Sequence, residues 1–278
     1  MRAAAVLPLS AIALAHALPL SLAFTGVRDA DLVAFGLVFC LISLAVGIGL
    51  HRYFAHRAFR TSRGFQFLLA LLGAAFFGDA VGFAGKHRLH HRHSDTERDV
   101  HSPRWGAWQC WVGHFIEARH TEAEVLRAAR DFARYPELMW LHRYFYLPGL
   151  LAVAAVLGLG GYSMLAGGFA PAWCLMAFHG PGLVNYFGHG YGRRRFETSD
   201  RSTNNAVLGV LLLGEGWHNN HHRFPGAARA GIKWYELDLL YWALRALALL
   251  GLVWDLREIP TAAGVGADRR GRDACVSP

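Results

Sequence analysis

The sequence predicts an all-α integral membrane protein: four transmembrane helices in two hairpins, with a cytosolic helical cap that carries a histidine-rich metal site. Three observations predict it. Apolar residues make up 54% of the 278 positions and charged residues only 17%, for a mean hydropathy of +0.22, too hydrophobic for an ordinary soluble domain. The apolar residues come in runs of roughly 20, the length that crosses a bilayer's hydrocarbon core. Sixteen residues are histidine, against 20 acids, and imidazole is the commonest side-chain metal ligand. Disordered, collagen-like and small disulfide-stapled chains are excluded by this composition. The four cysteines, Cys40, Cys110, Cys174 and Cys275, are scattered without a Cys-x-x-Cys pair and read as apolar fillers.

The elements follow in order. Residues 3–24, 32–50, 144–161 and 164–187 read as the four spans. The run 3–24 also has the look of a secretory signal, but Pro8, His16 and Pro19 interrupt it, and 32–50 would cross to the cytosol either way. The stretch 65–85 holds Asp79 and several glycines; a carboxylate at mid-bilayer is costly, so this stretch reads as interfacial or re-entrant. Residues 206–213 are too short to cross. Residues 237–252 carry Arg245 in their middle and suit a helix lying on the membrane or against the domain. Charge placement sets the orientation. The segment 52–143 holds 14 of the 28 basic residues and the segment after Phe187 another 12, whereas loop 25–31 has only Arg28 and loop 158–171 has none. Both hairpins then start and end in the cytosol, and the net charge of +8 gathers on that face, where it favours membrane lipids with anionic headgroups or a polyanionic substrate carrier. No nucleic-acid partner is expected. Residues 1–260 read as one domain and 261–278 as a disordered polar tail.

Nine histidines fall into clusters just beyond apolar segments: His51 and His56 in HRYFAH, His87, His90 and His91 in HRLHH, His189 in NYFGH, and His218, His221 and His222 in HNNHH. On a helix, positions i, i+3 and i+4 share a face, so each HxxHH presents three imidazoles in one direction, and Asn185 with His189 forms an i, i+4 pair. His51 and His56 lie roughly 140° apart on a helix, which places them at a helix end or on two different metals. Nine nitrogens exceed the shell of one first-row ion, so two metals are implied. Zinc hydrolases need about three protein ligands, which favours iron here. A carboxylate site built on Glu-x-x-His has matches in Glu117/His120 and Glu215/His218, but it needs two further glutamates and strands five clustered histidines. The remaining histidines, His16, His93, His101, His114, His120, His142 and His179, read as structural or solvated.

The motifs HRYFAHRAF, KHRLHHRHSDTERDVHSP, NYFGHGYG, GEGWHNNHHRFP and GLVWDLR, in this order, resemble those of the membrane fatty acyl desaturases, in a bacterial-like form of the Δ9 acyl-CoA (stearoyl-CoA) type. The resemblance covers residues 32–260. It implies that His51, His56, His87, His90, His91, His189, His218, His221 and His222 hold two Fe²⁺ ions and that Asn185 approaches one of them through water. It also implies an O₂-dependent insertion of a cis double bond into a long-chain fatty acyl substrate, at Δ9 of an acyl-CoA. A metal centre suits that chemistry, because no side chain is a strong enough oxidant for an unactivated methylene. Electrons must come from a ferredoxin or cytochrome b5-like donor with a reductase, since the chain has neither a dinucleotide glycine loop nor the His-Pro-Gly-Gly of an attached cytochrome. A departure bears on the carrier. Animal members have a tryptophan and a CoA-binding arginine where this chain has Phe83 and Gly85, which keeps acyl-lipid and carrier-protein substrates open. A hydroxylase on the same scaffold fits the box spacing equally well.

The helix that delivers His51 also predicts a substrate tunnel. Ser43 and Phe39 lie eight and twelve residues before His51, one i, i+4 step apart, so both can face one acyl channel. In the desaturases this chain resembles, residues at matching places close the channel's far end.

Overall fold

The computed structural model describes residues 3–114, 117 and 119–260; the polar tail lies outside the described residues. The chain is mostly helical. Helix α1 (Ala3–Ala17) gives way at Leu18–Ser21, where Pro19 enters a tighter turn. Helix α2 (Asp29–Ala55) is continuous, starting behind a capping box formed by Arg28 and Asp31. Helices α3 (Arg63–Phe76) and α4 (Ala80–His93) meet at an angle of 83°. The bend is built by capping: the Asp79 side chain accepts from Gly82 N at 2.6 Å and from His142 Nδ1 at 2.7 Å. That is the geometry of a broken span or a re-entrant segment, and it gives the Asp79 carboxylate partners within an apolar stretch.

The short helices α5 (Glu122–Ala128) and α6 (Pro136–Arg143) lead into α7 (Tyr146–Met164) and α8 (165–187). Within α7, near its end, Gly161 breaks the helical path with φ 66° and ψ −161°, a conformation that a side chain would strain. The two predicted runs 144–161 and 164–187 are thus one apolar stretch broken at a glycine. Helices α9 (Ala206–Leu211), α10 (His218–Arg223) and α11 (Leu239–Leu249) complete the helices that bear on the site. Strand β1 (Arg60–Thr61) pairs antiparallel with β2 (Val253–Trp254).

Among the described residues, two helical stretches are long and apolar enough to cross a membrane, Asp29–Ala55 and Tyr146–Phe187, or three if the α3–α4 pair is one broken span. Their outward faces carry large apolar side chains, with Val33, Leu37, Leu150, Leu151 and Leu159 all exposed. Such a surface calls for lipid rather than water. In Tyr146–Phe187 only 6% of the apolar window is buried within the protein. The start of α2 and the end of α7 are joined: Arg28 donates to Gly160 O at 2.9 Å and to the fully buried Asp31, which also accepts from Ser163. Helix α11 buries Leu240, Tyr241 and Leu244 while exposing Leu239, Trp242 and Leu249, as a helix set between protein and membrane surface should.

Two apolar clusters support the histidine-bearing segments. One gathers Ile48, Leu50 and Phe54 of α2 with Phe59, Phe132, Leu138, Leu141, Leu240 and Leu244, directly under the histidines. The other joins Ile42 and Ala45 to Phe76, Phe169 and Met176. Phe39 packs against this second cluster, and the buried Ser43 donates its hydroxyl to Phe39 O at 2.7 Å.

Candidate metal centre

The last part of α2, Leu44–Ala55, is wound as a π-helix, and His56 N donates to His51 O, five residues back. This winding brings positions i and i+5 over one another. It removes the choice posed by the 140° separation: both imidazoles point into the same group. His87, His90 and His91 come from the last turns of α4, His189 from the turn after α8, and His218, His221 and His222 from α10.

The nine clustered histidines form two adjoining groups. In the first, Nε2 atoms follow one another from His51 to His221 (3.1 Å), His221 to His91 (3.0 Å), His91 to His87 (3.1 Å) and His87 to His56 (2.9 Å). In the second, His218 Nε2 lies 3.0 Å from both His189 Nε2 and His222 Nε2, and His90 completes the set. The groups His51, His56, His87, His221 and His90, His189, His218, His222 each bring one ligand atom per residue within 4.8 Å of all the others, as a metal ion requires.

The donor chemistry fits a cation. Asp95 accepts from His189 Nδ1 at 2.9 Å, Asp99 from His90 Nδ1 at 3.0 Å and Asp200 from His222 Nδ1 at 2.7 Å. Glu215 approaches His51 Nδ1 to 2.6 Å, off the line of the N–H bond. With those protons on Nδ1, the Nε2 lone pairs of His189 and His222 both face His218 Nε2, which has at most one proton to offer. Lone pairs so placed repel unless a cation sits between them. Ligands at right angles around an ion, with metal–nitrogen bonds of about 2.1 Å, stand about 3.0 Å apart, which is the spacing found. Burial, followed by repulsion from neighbouring imidazoles, holds His218, His221 and His222 well below the ordinary histidine pKa, so they are neutral and free to ligate. Burial would protonate Glu215, but His51 and Arg52 beside it outweigh that and keep its carboxyl below the usual range.

Sequence reasoning misses Asp95, Asp99 and Asp200, although Asp95 and Asp99 lie within the second histidine box, and it weighs Glu215 only as half of a Glu-x-x-His pair. They fix the tautomer and orientation of the rings they touch. It also misses Asn219 and Asn220, inside HNNHH. Asn219 Oδ1 accepts from Arg195 N and Phe196 N, and Asn220 donates to Ala230 O and Glu236, which locks α10 between two loops. Asn185 lies half-buried on α8, one helical turn before His189. Of the Glu-x-x-His pairs, Glu117 contacts Arg119, away from both groups, and Glu215 reaches His51 only through Nδ1. The other histidines have local partners: His16 meets His179, His142 meets Asp79, His93 stacks on His120, and His101 packs beside His114.

Gly85 of α4 has no room for a side chain, because a Cβ there would run into the Val125 carbonyl of α5. Phe83, two residues before it, stacks on the His87 ring at 5.5 Å between centroids.

A sequence profile described as "Fatty acid desaturase" matches residues 31–255. The chain is 37% identical over 217 residues to the sn-1 stearoyl-lipid 9-desaturase of Anabaena variabilis, covering 77% of this chain and 79% of that protein. It is 34% identical over 213 residues to the acyl-CoA C20 Delta5-desaturase of Anemone leveillei (76% and 68% covered). It is 33% identical over 218 residues to the sn-2 palmitoyl-lipid 9-desaturase of a Nostoc species (76% and 75% covered).

Proposed function

Because the chain belongs to the fatty acid desaturase family and is an enzyme that desaturates fatty acyl substrates, we propose that it introduces a cis double bond at position 9 of a long-chain fatty acyl substrate, using O₂ and two irons. The observation that carries this reading is the convergence of nine histidine side chains on two adjoining groups. In it, His51, His56, His87, His91 and His221 hold one iron; His90, His189, His218 and His222 hold the other, with Asn185 reaching it through water. The irons supply the activation of O₂ that the C–H bonds require. The protein's part is to orient the imidazoles, through Asp95, Asp99, Asp200 and Glu215, and to align one pair of methylenes. Residues 1–260 act as one membrane desaturase domain with four crossings, its site on the cytosolic face where 26 of the 28 basic residues fall.

The acyl-CoA expectation meets a specific obstacle. Where the resembling animal enzymes place a CoA-binding arginine, Gly85 is sealed by Val125. That favours a lipid-linked acyl chain, the substrate named for the 37% and 33% identical relatives. The test is expression in a host of known fatty-acid composition, followed by lipid analysis and by assays of the purified enzyme with stearoyl-CoA and with stearoyl phospholipid in parallel. New Δ9 cis bonds formed from the phospholipid support this reading. Oxygenated products instead of alkenes would make the protein a hydroxylase.

Phe39 and Ser43 enter as the tunnel's far end. Phe39 packs on the cluster of Ile42, Phe76 and Phe169, so shortening it opens space inside the protein. Each further methylene buried in an apolar pocket contributes about 0.8 kcal/mol. Phe39→Ala is expected to shift the product profile toward longer chains and Ser43→Phe toward shorter ones, read as several-fold changes in the ratio of C18 to C16 products. Unchanged profiles at normal expression would remove both residues from the tunnel.

A further inference from the structure

On the side of α4 away from His87, His90 and His91, a cleft of about 630 Å³ opens between α4 and α5, with His93 at its edge. Arg88, Arg92, Arg98, Arg127 and Arg130 line it, against two acids, Glu124 and Asp131. Arg98 is paired with Glu124 at 2.8 Å and Arg88 with Asp131 at 2.7 Å. Arg92, Arg127 and Arg130 are exposed, and among the described residues no hydrogen bond or ion pair engages them. Three guanidinium groups thus face one concavity without a counterion, which repel one another unless an anionic partner arrives.

Position relative to the metal centre narrows what that partner is. Arg88 and Arg92 sit about 130° around α4 from the face carrying His87, His90 and His91, so a ligand in the cleft cannot touch the reacting carbons. Arg88 is nonetheless the residue after His87, and its guanidinium donates to Phe54 O at 2.7 Å and Ala55 O at 2.8 Å, the two carbonyls just before His56. The cleft floor is therefore bonded to two of the histidine-bearing segments. A helix is about 10 Å across, so a redox centre brought to this cleft would stand one helix away from the histidines. The large exposed apolar groups that mark lipid contact, such as Trp140, Phe145 and Tyr146, lie on α6 and the start of α7 and do not line the cleft.

From this placement we propose that the arginine cleft between α4 and α5 is where a small acidic one-electron carrier protein docks to reduce the metal centre. The proposal rests on the desaturase reading. One turnover takes a hydrogen from each of two adjacent methylenes, forms the double bond and reduces O₂ to two waters, consuming two electrons and two protons from outside. The carrier is oxidised twice per double bond. Docking of this kind is small in area and steered by charge, so it weakens as salt rises.

The test uses the full-length protein in nanodiscs of zwitterionic lipid, with a purified plant-type [2Fe–2S] ferredoxin as probe. Binding is measured directly, at low and at 0.3 M salt, for the wild type and for the Arg92→Glu/Arg127→Glu/Arg130→Glu variant. The wild type should bind more weakly at high salt, and the variant should bind about tenfold or more weakly at low salt. In turnover assays the variant should show a raised KM for ferredoxin with kcat at saturation retained. The milder Arg127→Ala variant should move the dissociation constant in the same direction, which keeps the test valid if the triple variant does not fold. Equal ferredoxin binding by wild type and both variants overturns the proposal. So does loss of attachment to anionic vesicles with ferredoxin binding intact, which would make the cleft a lipid headgroup site. The binding readout stands whether or not any product forms, so failure of the desaturase reading would be seen separately.

Discussion

His221→Ala is expected to abolish desaturation and to leave the purified protein short of iron. His221 is the central member of the first group, its Nε2 3.1 Å from that of His51 and 3.0 Å from that of His91. It is buried, so no water-filled space lies ready to supply a replacement ligand. Alanine there removes a nitrogen donor and leaves a void among the remaining imidazoles, which can no longer close around an ion. His90→Ala should do the same to the second group. Product should fall below detection in both, while the helical content seen by circular dichroism is retained. Glu117→Ala and His120→Ala are the comparison, since neither residue belongs to the two groups, and both variants should keep measurable activity. A fully active His221→Ala enzyme would remove the metal-centre reading. Inactive but folded Glu117→Ala and His120→Ala variants would instead favour a carboxylate site.

The carboxylates behind the rings carry the second large effect. Asp200 accepts from His222 Nδ1 through Oδ2 and from Ser202 N and Thr198 Oγ1 through Oδ1, so the ring is held by a group that is itself anchored. Asp200→Ala frees His222 to rotate and to move its proton to Nε2, where it would point at the metal. Loss of such an outer partner typically costs about 10–100-fold in metal affinity or activity. Asp200→Ala should fall in that range, measured as kcat and as the iron concentration needed for half-reconstitution, and Asp200→Asn should lose less because an acceptor oxygen remains. An Asp200→Ala variant with unchanged iron affinity would show that His222 needs no such support.

These two predictions differ in how far their residues could be read from the chain. The histidines were legible because HxxHH places three rings on one helical face, a local pattern that folding preserves in α4 and α10. The pairing of His51 with His56 was not, because a 3.6-residue period sets them apart and only π-winding of Leu44–Ala55 aligns them. The carboxylates were illegible for another reason. Asp200 is 22 residues from His222 and Asp95 is 94 from His189, and no periodicity reports contacts made across such distances. Apolar length identified α2 and the stretch from Tyr146 to Phe187 as able to cross a membrane. The conformation of Gly161 and the 83° bend between α3 and α4 depend on turns and on the Asp79 cap, which length and composition do not encode. The seal over Gly85 likewise arises only when Val125 of α5 packs on α4.

The most direct measurement is the metal content of the purified protein together with its ability to form product. Atomic emission analysis of the wild type should find two irons per chain. Chelation under anaerobic conditions should remove them together with activity, and Fe²⁺ but not Zn²⁺ should restore the double-bond product. A protein that makes the product with one iron per chain, or with none, would contradict a centre built from two groups of histidines.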